Sequence, residues 1–215
     1  TGFIWKFLLA TATYYATWAY CTDLTTGAVD TAKLGTFTMV SSLLMFFPLI
    51  IGTLVGSPIM KAIGSPIRFH RILILLEFVP GGILFVLQMV GLLQSLPAVY
   101  LLCMGVCACA IGMDYIPGEV INIEAMDYEI YKNGKDRSAL CNAANKFLGK
   151  AQSAVASGLV GVILVAVGYE VDSATDTFLG ELSSIPVMLD WFIVIMGLIP
   201  FFLGLVGWLV LKRYP

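Results

Sequence analysis

The stretch "DYEIYKNGKDRSALCNAANKFLGK", residues 127–150, places five lysines and arginines (Lys132, Lys135, Arg137, Lys146 and Lys150) within 24 residues of a chain that is 59% hydrophobic and only 12% charged. The first three suit a polar loop. The last two fall where an apolar segment has already resumed, so the stretch poses two questions: where the chain turns, and why cations re-enter the apolar phase.

The surrounding composition answers the first. A mean hydropathy of +0.92 and half the usual charged fraction exclude an ordinary soluble domain and point to a membrane protein. A helix needs about 20 mostly apolar residues to cross the hydrocarbon. Windows of that size give six spans, at 3–22, 35–57, 71–93, 97–125, 139–168 and 188–211, bounded by loops rich in Gly, Pro, Asp or Lys. The expected fold is therefore an all-α integral membrane bundle of six transmembrane helices forming one domain over 1–215. The first run, "FIWKFLLATATYYATWAYCT", is too long and aromatic for a signal peptide and is expected to be a span.

Basic residues orient the bundle. With both termini cytoplasmic, the inner side carries Lys6, Lys61, Arg68, Arg71, Lys132, Lys135, Arg137, Lys212 and Arg213, and the outer loops carry only Lys33. The loop at 169–187 holds Glu170, Asp172, Asp176 and Glu181 and no Lys or Arg. Lys132, Lys135 and Arg137 thus hold a cytoplasmic loop in place. Pro48, "PGG" at 80–82, "PG" at 117–118 and Pro200 are helix breakers inside spans, tolerated where neighbours re-satisfy the backbone. Small residues crowd the fifth span ("GKAQSAVASGLVG"), a composition suited to close helix packing.

The second question concerns ionisable groups inside spans, which are costly and face a cavity or a partner. At 3.6 residues per turn, Asn142, Asn145, Lys146, Gly149, Lys150, Ser153 and Ser157 share one side of the fifth span. Lys146 either snorkels to the interface or joins that pathway; Lys150, one turn deeper, is expected to line a pathway or meet a partner. In the fourth span Asp114, Tyr115, Glu119 and Asn122 surround Pro117–Gly118, where a broken helix would expose backbone dipoles as transporter sites do. Asp114 or Glu119 is the expected charge partner or cation-coupling group for Lys150. Glu77 is expected to be structural and paired locally, and His70 to lie in the loop between spans two and three.

Several classes are set aside. There is no basic stripe with interleaved aromatics for nucleic acid, and no nucleophile–base pair for an enzyme. "CMGVCAC" (Cys103, Cys107, Cys109) lacks a histidine nearby and reads as packing, so no metal or organic cofactor is expected.

The "DY" of Asp127–Tyr128, the "YKNGKDR" of 131–137 and a lysine, Lys150, nineteen residues before the tyrosine of "VGY" (167–169) give the chain a family likeness. It resembles the glycoside–pentoside–hexuronide:cation symporters, the melibiose-permease branch of the major facilitator superfamily, and more narrowly their C-terminal six-helix half. The resemblance covers about forty residues well. It implies that Lys150 helps to organise sugar and cation binding, that Asn145, Lys146 and Gly149 line the sugar cavity, and that Tyr115 packs against the sugar. Asp127 and Arg137 would contribute to gating. The chain departs from the pattern at Glu129–Ile130, at Asp136, which displaces the arginine by one place, and at Lys146, where a neutral polar residue is common.

The resemblance further implies secondary active transport of a sugar or glycoside with Na⁺ or H⁺ in the cell membrane. The cation site would lie mainly in an N-terminal six-helix half, in the same longer chain, in a separate chain, or replaced by self-pairing. Two alternatives stand beside it: a transporter of another solute, such as a lipid, on the same scaffold, and a non-transporting sensor or assembly subunit.

Overall fold

A computed structural model of the protein describes residues 2–134, 136, 138–172 and 177–213. The helices are α1 (Gly2–Tyr20), α2 (Thr31–Ile63), α3 (Pro66–Met89), α4 (Pro97–Asn133), α5 (Ser138–Ala166), α6 (Ser184–Ile193) and α7 (Ile199–Lys212). A π-helical segment, Val194–Leu198, joins α6 to α7 without a break, so the described residues build six long rods.

Five of the rods are long and apolar enough to cross a membrane, among the described residues: α2, α3, α4, α5 and the composite Ser184–Lys212. The first rod, α1, is not among them. Lys6 and the threonines at 11, 13 and 17 dilute its apolar character.

Local chemistry sets the ends. Asp30 caps α2 by accepting from the Lys33 N–H at 3.0 Å. Gly64, at φ 74°, closes α2 by donating to Met60. Ser65 then caps α3 with Pro66 in the first turn. This tight connection corrects two expectations: α3 starts at Pro66 rather than 71, and His70 sits on the helix rather than in a loop. The run of Arg68, His70 and Arg71 resembles a polar loop in composition, but the Ser-Pro start makes it helix.

The expected break at Pro117–Gly118 is also absent, because α4 continues through it to Asn133 with Pro117 buried inside the bundle. The loop after α5 departs from a purely helical reading. It carries a two-stranded antiparallel hairpin, β1 (Val171–Asp172) and β2 (Thr177–Phe178), and Thr177 also bridges to Ala28 in the loop after α1.

The main core lies at the hairpin end of the bundle. Tyr15, Trp18, Tyr100, Leu93, Met188 and Phe192 are fully buried there. Three polar tips are satisfied within this core, though the Trp18 indole N–H has no partner among the described residues: the Tyr15 hydroxyl donates to Gln88 at 2.7 Å, Gln88 donates to Asp190 at 2.7 Å, and Tyr100 donates to the Ala12 carbonyl at 3.0 Å.

Close helix approach occurs between α2 and α4, not along the small residues of α5. The buried residues of α2 are Gly52 and Gly56, and a Cβ at Gly56 would stand 2.8 Å from the Met113 carbonyl. Gly149, Gly158 and Gly161 of α5 face open space instead.

Candidate functional site

Beyond Pro117, α4 has no buried residue, and α5 is buried only at Ala156, Val160 and Ile163. The C-terminal half of α4 and the N-terminal half of α5 therefore stand clear of the core. A cleft of about 640 Å³ lies between them.

The α4 wall presents Ile111, Asp114, Tyr115, Gly118, Glu119 and Asn122, a spacing of three and four that places all six on one helical face. The α5 wall contributes Asn142, Asn145 and Lys146, one turn of its polar stripe, and Trp5 closes the cleft from α1. One hydrogen bond spans it, from the Asn145 amide to the Asn122 side-chain oxygen at 3.3 Å.

The chemistry is mixed. Tyr115, 71% exposed, and Trp5 offer flat apolar faces. Three asparagines can both donate and accept, Lys146 donates, and Glu119 accepts. An apolar wall with a few placed polar groups is how small polar solutes are bound.

The structure brings Tyr115, Asp114, Glu119, Asn145 and Lys146 to this one cleft. Gly149, Lys150 and Asp127 are not among its lining residues. Lys150 is exposed on α5 and has no ion-pair partner among the described residues. The expected pairing of Lys150 with Asp114 or Glu119 is not present among the described residues. Asp114 is buried and pairs with His70, which the early start of α3 brings into register with it. Arg137 lies outside the described residues. Among the described residues no group of three His, Cys, Asp or Glu side chains converges closely enough to hold a metal ion.

Trp5 and Ile111 are lining residues that sequence reasoning missed. Trp5 sits on a separate helix, and no periodicity within α4 or α5 points to it. The start of α5 is held by Asp136, whose carboxylate accepts from the Ser138 N–H at 2.9 Å. Hydrogen bonds from the Ser138 side chain and backbone hold that carboxyl below the usual aspartate range.

Apolar rods long enough to cross a membrane, wrapped beside a polar cleft, define a multi-pass membrane protein of the transporter kind. The family described as MFS/sugar transport protein matches residues 2–215, and the chain belongs to that family and with it to the major facilitator superfamily. Neither a curated protein nor a solved structure matches the chain.

Proposed function

We propose that this chain is the C-terminal six-helix half of a symporter that moves a sugar or glycoside together with a cation, Na⁺ or H⁺, across the cell membrane. In this reading α1 makes the sixth crossing and both ends of the chain face the cytoplasm. The observation that carries it is Tyr115, an aromatic ring in a membrane-spanning helix, largely exposed and lining a cleft whose polar groups are amides, an ammonium and carboxylates. The C–H face of a pyranose stacks on such a ring while its hydroxyls take up the amides' unused donors and acceptors.

Asn145 and Lys146 are the α5 contacts to sugar hydroxyls, and Glu119 is the α4 acceptor. Lys150 and Gly149, one turn further along the stripe, face the other six-helix half, where an ammonium in the membrane finds its counter-charge. Asp127 and Arg137 gate the cytoplasmic side. The two halves rock about the cleft, giving alternating access.

The test is uptake of labelled glycosides into vesicles containing the full polypeptide that carries this chain, with imposed Na⁺ or H⁺ gradients. Gradient-driven glycoside accumulation that Lys150→Ala abolishes is the expected result. Full coupled uptake in both Lys150→Ala and Lys150→Arg would remove Lys150 from the mechanism. Absence of glycoside flux together with lipid movement would overturn the sugar reading.

A further inference from the structure

His70 and Glu77, both on α3, are ionisable side chains within the bundle that have no part in the solute contacts above. They are seven residues apart, two helical turns or about 10.5 Å, on one face. The facing helix repeats that interval in the opposite direction. His70 Nδ1 bonds Asp114 Oδ1, and the Cys107 thiol donates to the Glu77 carbonyl at 3.2 Å. The α3 and α4 helices thus form an antiparallel ladder with rungs at 70/114 and 77/107.

Side chains on a helix lean towards its N-terminus. On α3 that direction takes Glu77 towards the level of His70; on antiparallel α4 it takes Asp114 towards the level of Glu77. These leans shorten the axial separation of the two carboxyl groups between the rungs. Glu77 is 1% exposed, and neither of its carboxylate oxygens has a hydrogen-bond partner among the described residues. A bare carboxylate in that position is far more costly than a protonated one.

Few other ionisable groups are available to compensate it. On α4 the neighbours are Cys103 and Cys107, both thiols. Arg71, the next residue after His70, turns to α7 and donates to the Leu211 carbonyl. The α7 face packed on this part of α3 consists of Phe201, Gly204, Leu205 and Trp208, and the π-helical segment Val194–Leu198 has no ionisable side chain. Asp190 of α6 is engaged by Gln88, three turns above Glu77. Ile4 is the α1 residue packed on Ile74 and Phe78; Lys6 of α1 is half-buried. The lysines of α2, Lys33 and Lys61, stand near its two ends.

We propose that His70, Glu77 and Asp114 form a proton-binding site within this half, reached from water through the cleft at Asp114. The proposal rests on the symporter reading above and deepens it by assigning H⁺ as an ion that this chain itself binds. One proton satisfies the cluster. Placed on Glu77, it removes the bare charge from that buried carboxyl and leaves Asp114 bonded to His70 Nδ1. When the proton leaves through Asp114 to cleft water, α3 and α4 each carry a carboxylate inside the bundle, and the like charges repel, loosening α4 from α3. Because Asp114 lines the cleft as well, occupancy of the solute site and of the proton site are linked through one residue.

The test is an infrared pH titration of the full polypeptide carrying this chain, in lipid and without solute, following the carboxylic-acid C=O band. Glu77→Gln is expected to remove a band that the unmodified protein shows at neutral pH. Asp114→Asn and His70→Gln are expected to move its midpoint by about one pH unit, a tenfold change in proton affinity. Cys107→Ala, at the same level but without a carboxyl, is expected to keep the band. Superimposable titrations of the unmodified protein and Glu77→Gln overturn the proposal. If Glu77→Gln does not fold, a midpoint unmoved by both Asp114→Asn and His70→Gln overturns it. Loss of the band on adding Na⁺ at constant pH also overturns it, in favour of an alkali-cation site. These spectra require no flux, so an unchanged band refutes the proton site and leaves glycoside transport standing, while failed uptake leaves the proton site standing.

Discussion

In the proposed site Tyr115 and Asn145 have different roles although they share the cleft. An exposed ring in an apolar helix gives stacking area, whereas Asn145 gives directed hydrogen bonds and already spans the cleft to Asn122 at 3.3 Å. Tyr115→Phe keeps the ring and is expected to bind glycoside within about twofold of the unmodified protein. Tyr115→Ala removes it and should weaken binding by about tenfold, corresponding to roughly 1.4 kcal/mol. Asn145→Ala removes one net hydrogen bond of about 1 kcal/mol, and a roughly fivefold weaker Kd by equilibrium binding would match it. Equal losses in Tyr115→Phe and Tyr115→Ala would mean that the hydroxyl, not the ring, contacts the solute.

Asp136 is a residue-scale switch of a simpler kind. Its carboxyl is held below the usual aspartate range by Ser138, so the hydrogen bond at the start of α5 is fully present above the ordinary value of about 3.9 and is lost as pH falls through the lowered folded value. Amide-exchange protection at Ser138 is expected to be flat from neutral pH down to roughly pH 4 and to collapse below it. Asp136→Ala should lack that protection at every pH, and a pH-independent profile in the unmodified protein would exclude the cap.

At the scale of elements, glycine spacing distinguishes the rods that touch from those that stand apart. A Cβ on Gly112 would overlap the backbone of Leu49 on α2, whereas one on Gly149 meets nothing within 4 Å. Gly112→Ala is expected to destabilise the protein by about 1–3 kcal/mol, as overpacking does, with a lower Tm in detergent. Gly149→Ala should leave Tm unchanged or raise it, since alanine favours helix over glycine by roughly 0.5–1 kcal/mol.

The same contrast marks what the sequence made legible. Apolar runs reveal rods because the hydrocarbon demands a fixed length, and 3.6 residues per turn puts Asn142, Asn145 and Lys146 on one side of α5. Composition misplaces the start of α3, because three basic or imidazole side chains suggest loop while Ser65–Pro66 begins a helix. It also credits the glycines of α5 with packing that those of α2 and α4 perform, since density of small residues does not say which helix lies opposite. Lys150 shares the stripe of Asn145 and Lys146 yet lies outside the cleft lining, because a stripe fixes a direction around one helix and not the distance to its neighbour.

For the whole molecule, the decisive fact is that the cleft is open, with Tyr115, Glu119, Asn145 and Lys146 of its lining all exposed. The α1, α4 and α5 helices supply its lining, and the exposed half of α5 turns Lys150 outward with no partner among the described residues. An ammonium in a membrane helix needs a counter-charge, and transporter sites form where two structural repeats meet. A second six-helix half in the same polypeptide would supply both the missing wall and the charge. The native polypeptide, purified from membranes and weighed intact under denaturing conditions, is therefore expected to have about twice the 23.3 kDa of this chain. A mass close to 23.3 kDa would instead require the wall to come from a separate chain or a second copy. In that case co-purification of a partner that restores glycoside binding becomes the measurement that decides between an assembled symporter and a non-transporting subunit.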